Sequence, residues 1–170
     1  MRPLFILLIL LSAVCGRAQK KQAVFAEALG IAGIVSANYD TRLNSDSPWG
    51  LRVGLGYTTN TELFQTVGAG HTEGFSIPVN VNYLMGRGNH HFECGIGISN
   101  GFYKETISTL FANTPMKRKW GCAIYSDIGY RYQKKGKVFF RGGITPGIIP
   151  GGHWNTTFFI APYIGVGYSL

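Results

Sequence analysis

Bulky apolar residues recur at every second position through most of this chain, and an aromatic stands near each end of a run. Trp49, Leu51, Val53, Leu55 and Tyr57 form one such run; Phe75, Ile77, Val79, Val81 and Tyr83 form the next. Further runs are Phe92, Cys94, Ile96, Ile98, Asn100 and Phe102, then Trp120, Cys122, Ile124, Ser126, Ile128 and Tyr130, then Phe158, Ile160, Pro162, Ile164, Val166 and Tyr168. Successive side chains of a strand point to opposite faces, so each run is one face of one strand. The bracketing aromatics lie roughly 8 to 10 residues apart, which at about 3.3 Å per residue and a tilt near 45° gives roughly 19 to 24 Å of height. An outer-membrane barrel carries an apolar band about 25 Å tall, with an aromatic girdle at each interface. The pattern predicts that this face meets lipid and that Trp49, Tyr57, Phe75, Tyr83, Phe92, Phe102, Trp120, Tyr130, Phe158 and Tyr168 form the girdles.

Turn signals divide the chain into hairpins. Asn44-Ser45-Asp46-Ser47-Pro48, Gly86-Arg87-Gly88-Asn89 and Lys134-Lys135-Gly136-Lys137 are short connections. The alternate connections, Thr59 to Glu73, Lys104 to Met116 and Pro150 to Asn155, are longer. Short turns alternating with longer loops match bacterial barrels, whose turns lie in the periplasm and loops outside. Six strands follow directly: 48–59, 74–87, 89–103, 117–133, 137–149 and 156–170. Residues 22–43 are too long for one strand and would make the count odd. With Gly30 to Gly33 as a tight outer turn they become two, 22–30 and 33–43. The competing reading is one long Gly-kinked strand with irregular closure. The prediction is an all-β fold, an eight-stranded antiparallel up-and-down transmembrane β-barrel with a filled polar lumen.

The second parity class decides which face is inside. It holds Gly50, Arg52, Gly54 and Gly56; Glu93, Gly95, Gly97 and Ser99; Asp127, Gly129 and Arg131; Arg141, Gly143 and Thr145; Gly165, Gly167 and Ser169. These residues are small and polar, with almost no lysine, whereas a water-facing wall would be rich in Lys and Glu. An eight-stranded barrel is only wide enough for side chains to fill it, so the small class is predicted to line the lumen. Its charges are Glu27, Glu93 and Asp127 against Arg52, Arg131 and Arg141, three to three, nearly all in the lower half of their strands. Unpaired buried charges cost several kcal/mol, so the residues predict one connected ion network near the periplasmic side. A salt-bridged plug is favoured over a charged pore constriction or proton path.

Composition agrees. Of 170 residues only 14% are charged, while Gly numbers 24 and aromatics reach 14%; soluble domains carry about 25% charged residues. Arg2, the apolar run Leu4 to Val14, and Gly16 with Ala18 predict a secretory signal over residues 1–18, leaving 19–170 as a single barrel domain. A lipoprotein reading would lipidate Cys15, and Val14 before it fits that signal poorly. The basic surplus lies mostly in loops and turns, Lys117 to Lys119 and Lys134 to Lys137. Solvated tips are the plainer reading, and contact of Lys117 to Lys119 with anionic lipid the sharper one. Cys94 and Cys122 fall at opposite ends of one hairpin, beyond the roughly 7 Å Cα reach of a disulfide, and are predicted to be free and lipid-facing.

Taken together, VFAEALGIAGIVSANYDTR, WGLRVGLGY, SIPVNVNYLMGRGNHHFECGIGIS, IGYRYQ, KVFFRGGITPGI and IGVGYSL resemble the small outer-membrane β-barrel proteins widespread in Bacteroidota, similar in architecture to OmpA/OmpX-type barrels. The resemblance covers nearly all of 19–170 and implies a barrel rather than a chemistry. It also implies residence in the outer membrane, with membrane lipid and the barrel-insertion machinery as partners. Such barrels usually end in an aromatic residue; this chain has Leu170 there, with Tyr168 two positions earlier.

Catalytic signals are sparse. Some small barrels modify lipids with a Ser/His pair at the outer rim. Here His71 and His153 fall in outer loops, near Thr72, Glu73, Ser76 and Thr156, without a nucleophile elbow. His90 and His91 adjoin a periplasmic turn and point to opposite faces, His90 to the interface and His91 to the lumen mouth, so they do not share a metal easily. The triplet Asn155-Thr156-Thr157 has no glycosylation meaning in a bacterium. No phosphate loop, metal set, cofactor motif or nucleic-acid motif is present. The sequence therefore favours a non-catalytic integral outer-membrane barrel with a structural or surface-contact role and an unidentified surface ligand. A lipid-modifying acyl hydrolase or transferase of the outer leaflet and a soluble periplasmic ligand-binding barrel are the alternatives.

Overall fold

The computed structural model describes residues 21–59, 70–109, 112–134, 136–150 and 156–170, with side chains omitted at 70–72, 105–109 and 112–119. Eight strands close into a barrel in simple chain order, every neighbouring pair antiparallel. They are β1 (Gln22–Leu29), β2 (Val35–Arg42), β3 (Trp49–Thr59), β4 (Gly70–Met85), β5 (His90–Thr109), β6 (Ala112–Gln133), β7 (Val138–Ile149) and β8 (Thr157–Ser169). Closure pairs β1 with β8, from Ala23 opposite Ser169 to Leu29 opposite Tyr163. A barrel has no open sheet edge where its strands pair on both sides. Among the described residues no helix is long and apolar enough to cross a membrane. The predicted signal, residues 1–18, lies outside the described residues.

Residues 22–43 form two strands, joined by a 3₁₀ turn at Gly30–Ala32. The turn is tight because Gly30 (φ 75) and Gly33 (φ 96) take backbone angles closed to most residues, and Leu29 is driven to φ 64 beside them. It folds over the lumen: Ala32 is buried, and the Ser76 hydroxyl of β4 donates to its carbonyl at 3.5 Å. At Gly33 a Cβ would also lie 2.6 Å from Thr58 Oγ1. Gly33→Ala is therefore expected to destabilise the barrel by about 1–3 kcal/mol in a urea titration. Gly88→Ala, at φ 72 with open space around it, should cost less.

The strands differ from expectation at one end. The segment expected as a loop, Lys104 to Met116, is mostly strand: β5 runs on to Thr109, β6 starts at Ala112, and Thr109 faces Ala112 across a connection of two residues. β4 likewise begins at Gly70 rather than 74 and follows β5 up to Ile107. Thr106, Ile107 and Thr109 are β-branched and suit a paired strand. The pairing slips between Lys104 and Thr106, so the extension carries an irregularity where it leaves the barrel wall.

Alternation between the two faces is clear in burial. Val53 and Val81 are 43% exposed and Ile124 41%, while Arg52 and Asp127 are each 3% exposed. The bulky class faces out and the polar class faces in. The ten aromatics expected to form girdles lie on the outer face, collected by strand register into two levels. Toward the loop end, Tyr57 faces Phe75, Phe75 faces Phe102, and Phe102 faces Trp120; Phe158 of β8 faces Ile148 of β7. Toward the turn end, Trp49 faces Tyr83 with rings 4.8 Å apart, Phe92 faces Tyr130, and Tyr168 lies between Val24 and Val138.

The prediction that only small residues line the lumen needs correction. Phe25, Tyr125, Phe139 and Tyr163 are buried inside it. Room comes from glycines on neighbouring strands: Tyr125 lies over Gly97, Tyr163 over Gly129 and Gly143, and Phe25 over Gly165 and Gly167. An aromatic laid over a strand glycine restores the packing that the missing side chain would leave out.

Candidate functional site: the ion array of the lumen

The inward positions of β1, β2, β3, β5, β6 and β7 bring four acids and four arginines into one connected array. Two of these eight residues, Asp40 and Arg42 of β2, are additional to the six predicted from the sequence. Their signal was the alternation Ser36, Asn38, Asp40, Arg42, all buried. The charge balance persists, at four to four.

Arg52 of β3 is the crossing point. It donates to Asp127 of β6 at 2.7 Å and to Glu93 of β5, and its Nε lies 3.4 Å from Asp40. Arg131 of β6 grips Asp40 with both terminal nitrogens, at 3.0 and 3.2 Å, and reaches Glu93 at 3.4 Å. Such a fork matches the two carboxylate oxygens, which lysine could not do. Arg141 of β7 donates to Glu27 of β1 at 2.6 Å and to Asp127 at 3.2 Å, and lies 3.4 Å from Glu93. Arg42 donates to Asp40 at 2.5 Å, to Asn82, and to the Pro48 carbonyl at 3.0 Å.

Neutral groups complete the array. Thr145 donates to Asp127 at 2.8 Å and Asn82 to Asp40 at 2.7 Å. Arg131 also donates to Gln133, and Gln133 to Ser169, each at 3.0 Å. Three aromatics sit against the guanidinium faces: Phe139 under Arg131 at 4.6 Å, Tyr163 under Arg141 at 4.1 Å, and Phe25 at 5.6 Å from both Arg52 and Arg141. A cation over an aromatic face gains electrostatic attraction when water is excluded. The array runs from Arg42 beside the β2–β3 turn up to Glu27, whose carboxylate adjoins the capping turn at Gly30. It therefore reaches beyond the lower half of the barrel.

The remaining singled-out residues lie apart from this array. His90 faces outward and shares a 2.6 Å hydrogen bond with the Tyr130 hydroxyl. His91 faces inward at the turn end, half-buried. His71 is in β4 opposite Thr106, and His153 lies outside the described residues. The two described cysteines are free: Cys94 faces Ile128 while Cys122 faces Asn100, six positions further along β5, a separation of about 20 Å along the strand. Among the described residues no group of three or more His, Cys, Asp and Glu could hold a metal ion.

No protein-family model matches the chain, and no curated protein matches it. Solved structures do. The N-terminal β-barrel domain of Pseudomonas aeruginosa OprF superposes with a TM-score of 0.52 at 13% identity, covering 89% of this chain and 100% of that one. A major outer membrane protein from Thermus thermophilus gives a TM-score of 0.59 at 12% identity, with the same 89% and 100% coverage. Ail, the attachment invasion locus protein of Yersinia pestis, gives 0.50 at 11% identity, covering 89% of this chain and 97% of that one. At such identities the shared property is the fold: the chain has the closed barrel architecture of small outer-membrane β-barrels.

Proposed function

We propose that the protein is an integral outer-membrane barrel without catalytic activity, its lumen plugged by the ion array and its loop end presented for surface contact. The carrying observation is the inversion of polarity. Val53, Val81 and Ile124 turn outward, while Arg52 and Asp127 are buried in ion pairs. A water-soluble barrel needs the opposite arrangement, because an apolar wall this extensive is unstable in water. Hydrocarbon accepts that wall, and the aromatic levels above and below it match the two interfaces. Membrane lipid is the first partner on this reading, and the insertion machinery delivers the chain to it. The likeness to outer-membrane barrels and the sequence resemblance to Bacteroidota proteins support the same location.

Geometry and charge support the plug. The guanidinium and carboxylate groups of six strands meet across the axis, and the Gly30–Ala32 turn covers one end. Each of the eight charges has an opposite charge within ion-pair distance, which favours a salt-bridged plug over a charged path. The test is fractionation combined with gel migration. The protein is expected in the detergent-extracted outer-membrane fraction, and the unboiled band is expected to migrate differently from the boiled one. Recovery in a detergent-free extract would overturn the membrane reading.

A further inference from the structure

We propose that the turn end of the barrel binds the phosphate groups of anionic phospholipids through an arc of lysines. This deepens the membrane reading and rests on it, since the short turns of such barrels face the periplasm.

Charge is distributed unevenly over the molecule. The lumen cancels to zero. In the sequence of the loop-side segments, Lys104, Lys117, Arg118 and Lys119 are counted against Glu62, Glu73 and Glu105. At the turn end, the described Lys21, Arg87, Lys134 and Lys137 accompany a single acid, Asp46, and Lys135 follows Lys134 in sequence. By sequence, almost all of the surplus positive charge from Lys21 onward therefore falls in the segments that connect or flank the strands on the turn side.

Lys134 and Lys137 flank the β6–β7 connection, with Lys135 between them in sequence, and the backbone ties that connection to its neighbours. Gly136 N–H donates to the Ser169 carbonyl at 2.8 Å, Ser169 N–H to the Lys137 carbonyl at 3.0 Å, and Leu170 N–H to the Gln22 carbonyl at 2.9 Å. The turn, the end of β8 and the start of β1 form one rim, with Lys134 and Lys137 exposed on one side and Lys21 on the other. At about 4.8 Å per strand, the arc from β6 to β1 is about 15 Å wide.

Its height points to lipid rather than to a soluble polyanion. Tyr132 is two residues before Lys134, and His90 joins the same edge through Tyr130 and a ring contact with Tyr132 at 5.2 Å. The Tyr168 hydroxyl lies 3.8 Å from where a Cβ on Gly136 would be. Phenol tips mark the headgroup level, with the ring in the apolar phase and the hydroxyl in the wet one. The lysines stand within one side-chain length of that level, where phosphates lie. The turn is too short to project them farther.

The test uses the full barrel in nanodiscs of phosphatidylcholine mixed with phosphatidylglycerol, with retained lipids counted by native mass spectrometry. Phosphatidylglycerol should be retained preferentially. The triple variant Lys134→Gln, Lys135→Gln, Lys137→Gln should lose about fivefold in that preference per lysine. The loop-end triple Lys117→Gln, Arg118→Gln, Lys119→Gln should keep it. Equal retention of the two lipids, or a preference lost only in the loop-end triple, overturns the proposal. Displacement by inorganic phosphate would overturn the lipid assignment in favour of a phosphate site. A barrel that folds with a heat-modifiable band yet shows no lipid preference refutes this inference alone. Failure to enter the bilayer refutes it together with the membrane reading.

Discussion

Replacing Glu93 by alanine is expected to lower the unfolding free energy by about 3–5 kcal/mol, the usual cost of removing one partner from a buried ion pair. Glu93 is fully buried and touches three arginines, Arg52, Arg131 and Arg141. Each keeps another acid: Asp127 and Asp40 for Arg52, Asp40 for Arg131, Glu27 and Asp127 for Arg141. The array therefore does not fall apart, but its balance shifts to four cations against three anions in a space with little water. Glu93→Gln retains the shape and one acceptor, so it should cost less than alanine while exposing the same charge imbalance. Thr145→Val is the internal comparison, because it removes a single neutral donor to Asp127 at 2.8 Å. That bond is worth about 1 kcal/mol. Urea titration of the barrel in vesicles, with the unboiled gel band reporting the folded fraction, measures all three. Glu93→Ala no more costly than Thr145→Val would mean that the lumen is held by packing rather than by its charges.

The barrel wall is legible from single strands, because period-two alternation is a local property. Val53 outward and Arg52 inward follow from their neighbours alone. What lies inside is less local. Asp40 and Arg42 depend on the phase of β2, which is set by the exit of the Gly30–Gly33 turn; once Val35 faces outward, both must face the lumen. The inward aromatics depend on register between strands. Tyr163 fits because Gly129 and Gly143, on β6 and β7, face each other beneath it, a coincidence invisible within β8. The length of β5 and β6 was hidden for a related reason. Beyond the barrel rim no apolar alternation is demanded, so pairing alone continues the strands to Thr109 and Ala112.

Val53→Arg is expected to destabilise the folded barrel by about 2–4 kcal/mol, the cost of arginine on the lipid face at the midplane of a bilayer. Val53 lies halfway between the girdle residues Trp49 and Tyr57 on β3 and is flanked by Tyr39 of β2 and Val79 of β4. From that depth the guanidinium has the farthest to reach toward either interface, and nothing nearby on the outer wall offers it an anion. Leu43→Arg supplies the contrast. Leu43 is exposed just after β2, level with Trp49, whose carbonyl accepts its N–H at 3.0 Å; near that interface an added arginine should cost about 0–1 kcal/mol. On a soluble protein both substitutions would be exposed valine or leucine to arginine changes, each within about 0.5 kcal/mol of neutral. The difference between the two positions thus reads the solvent of the outer wall while holding the introduced residue constant. A flat profile, with Val53→Arg no costlier than Leu43→Arg, would place water rather than hydrocarbon against Val53.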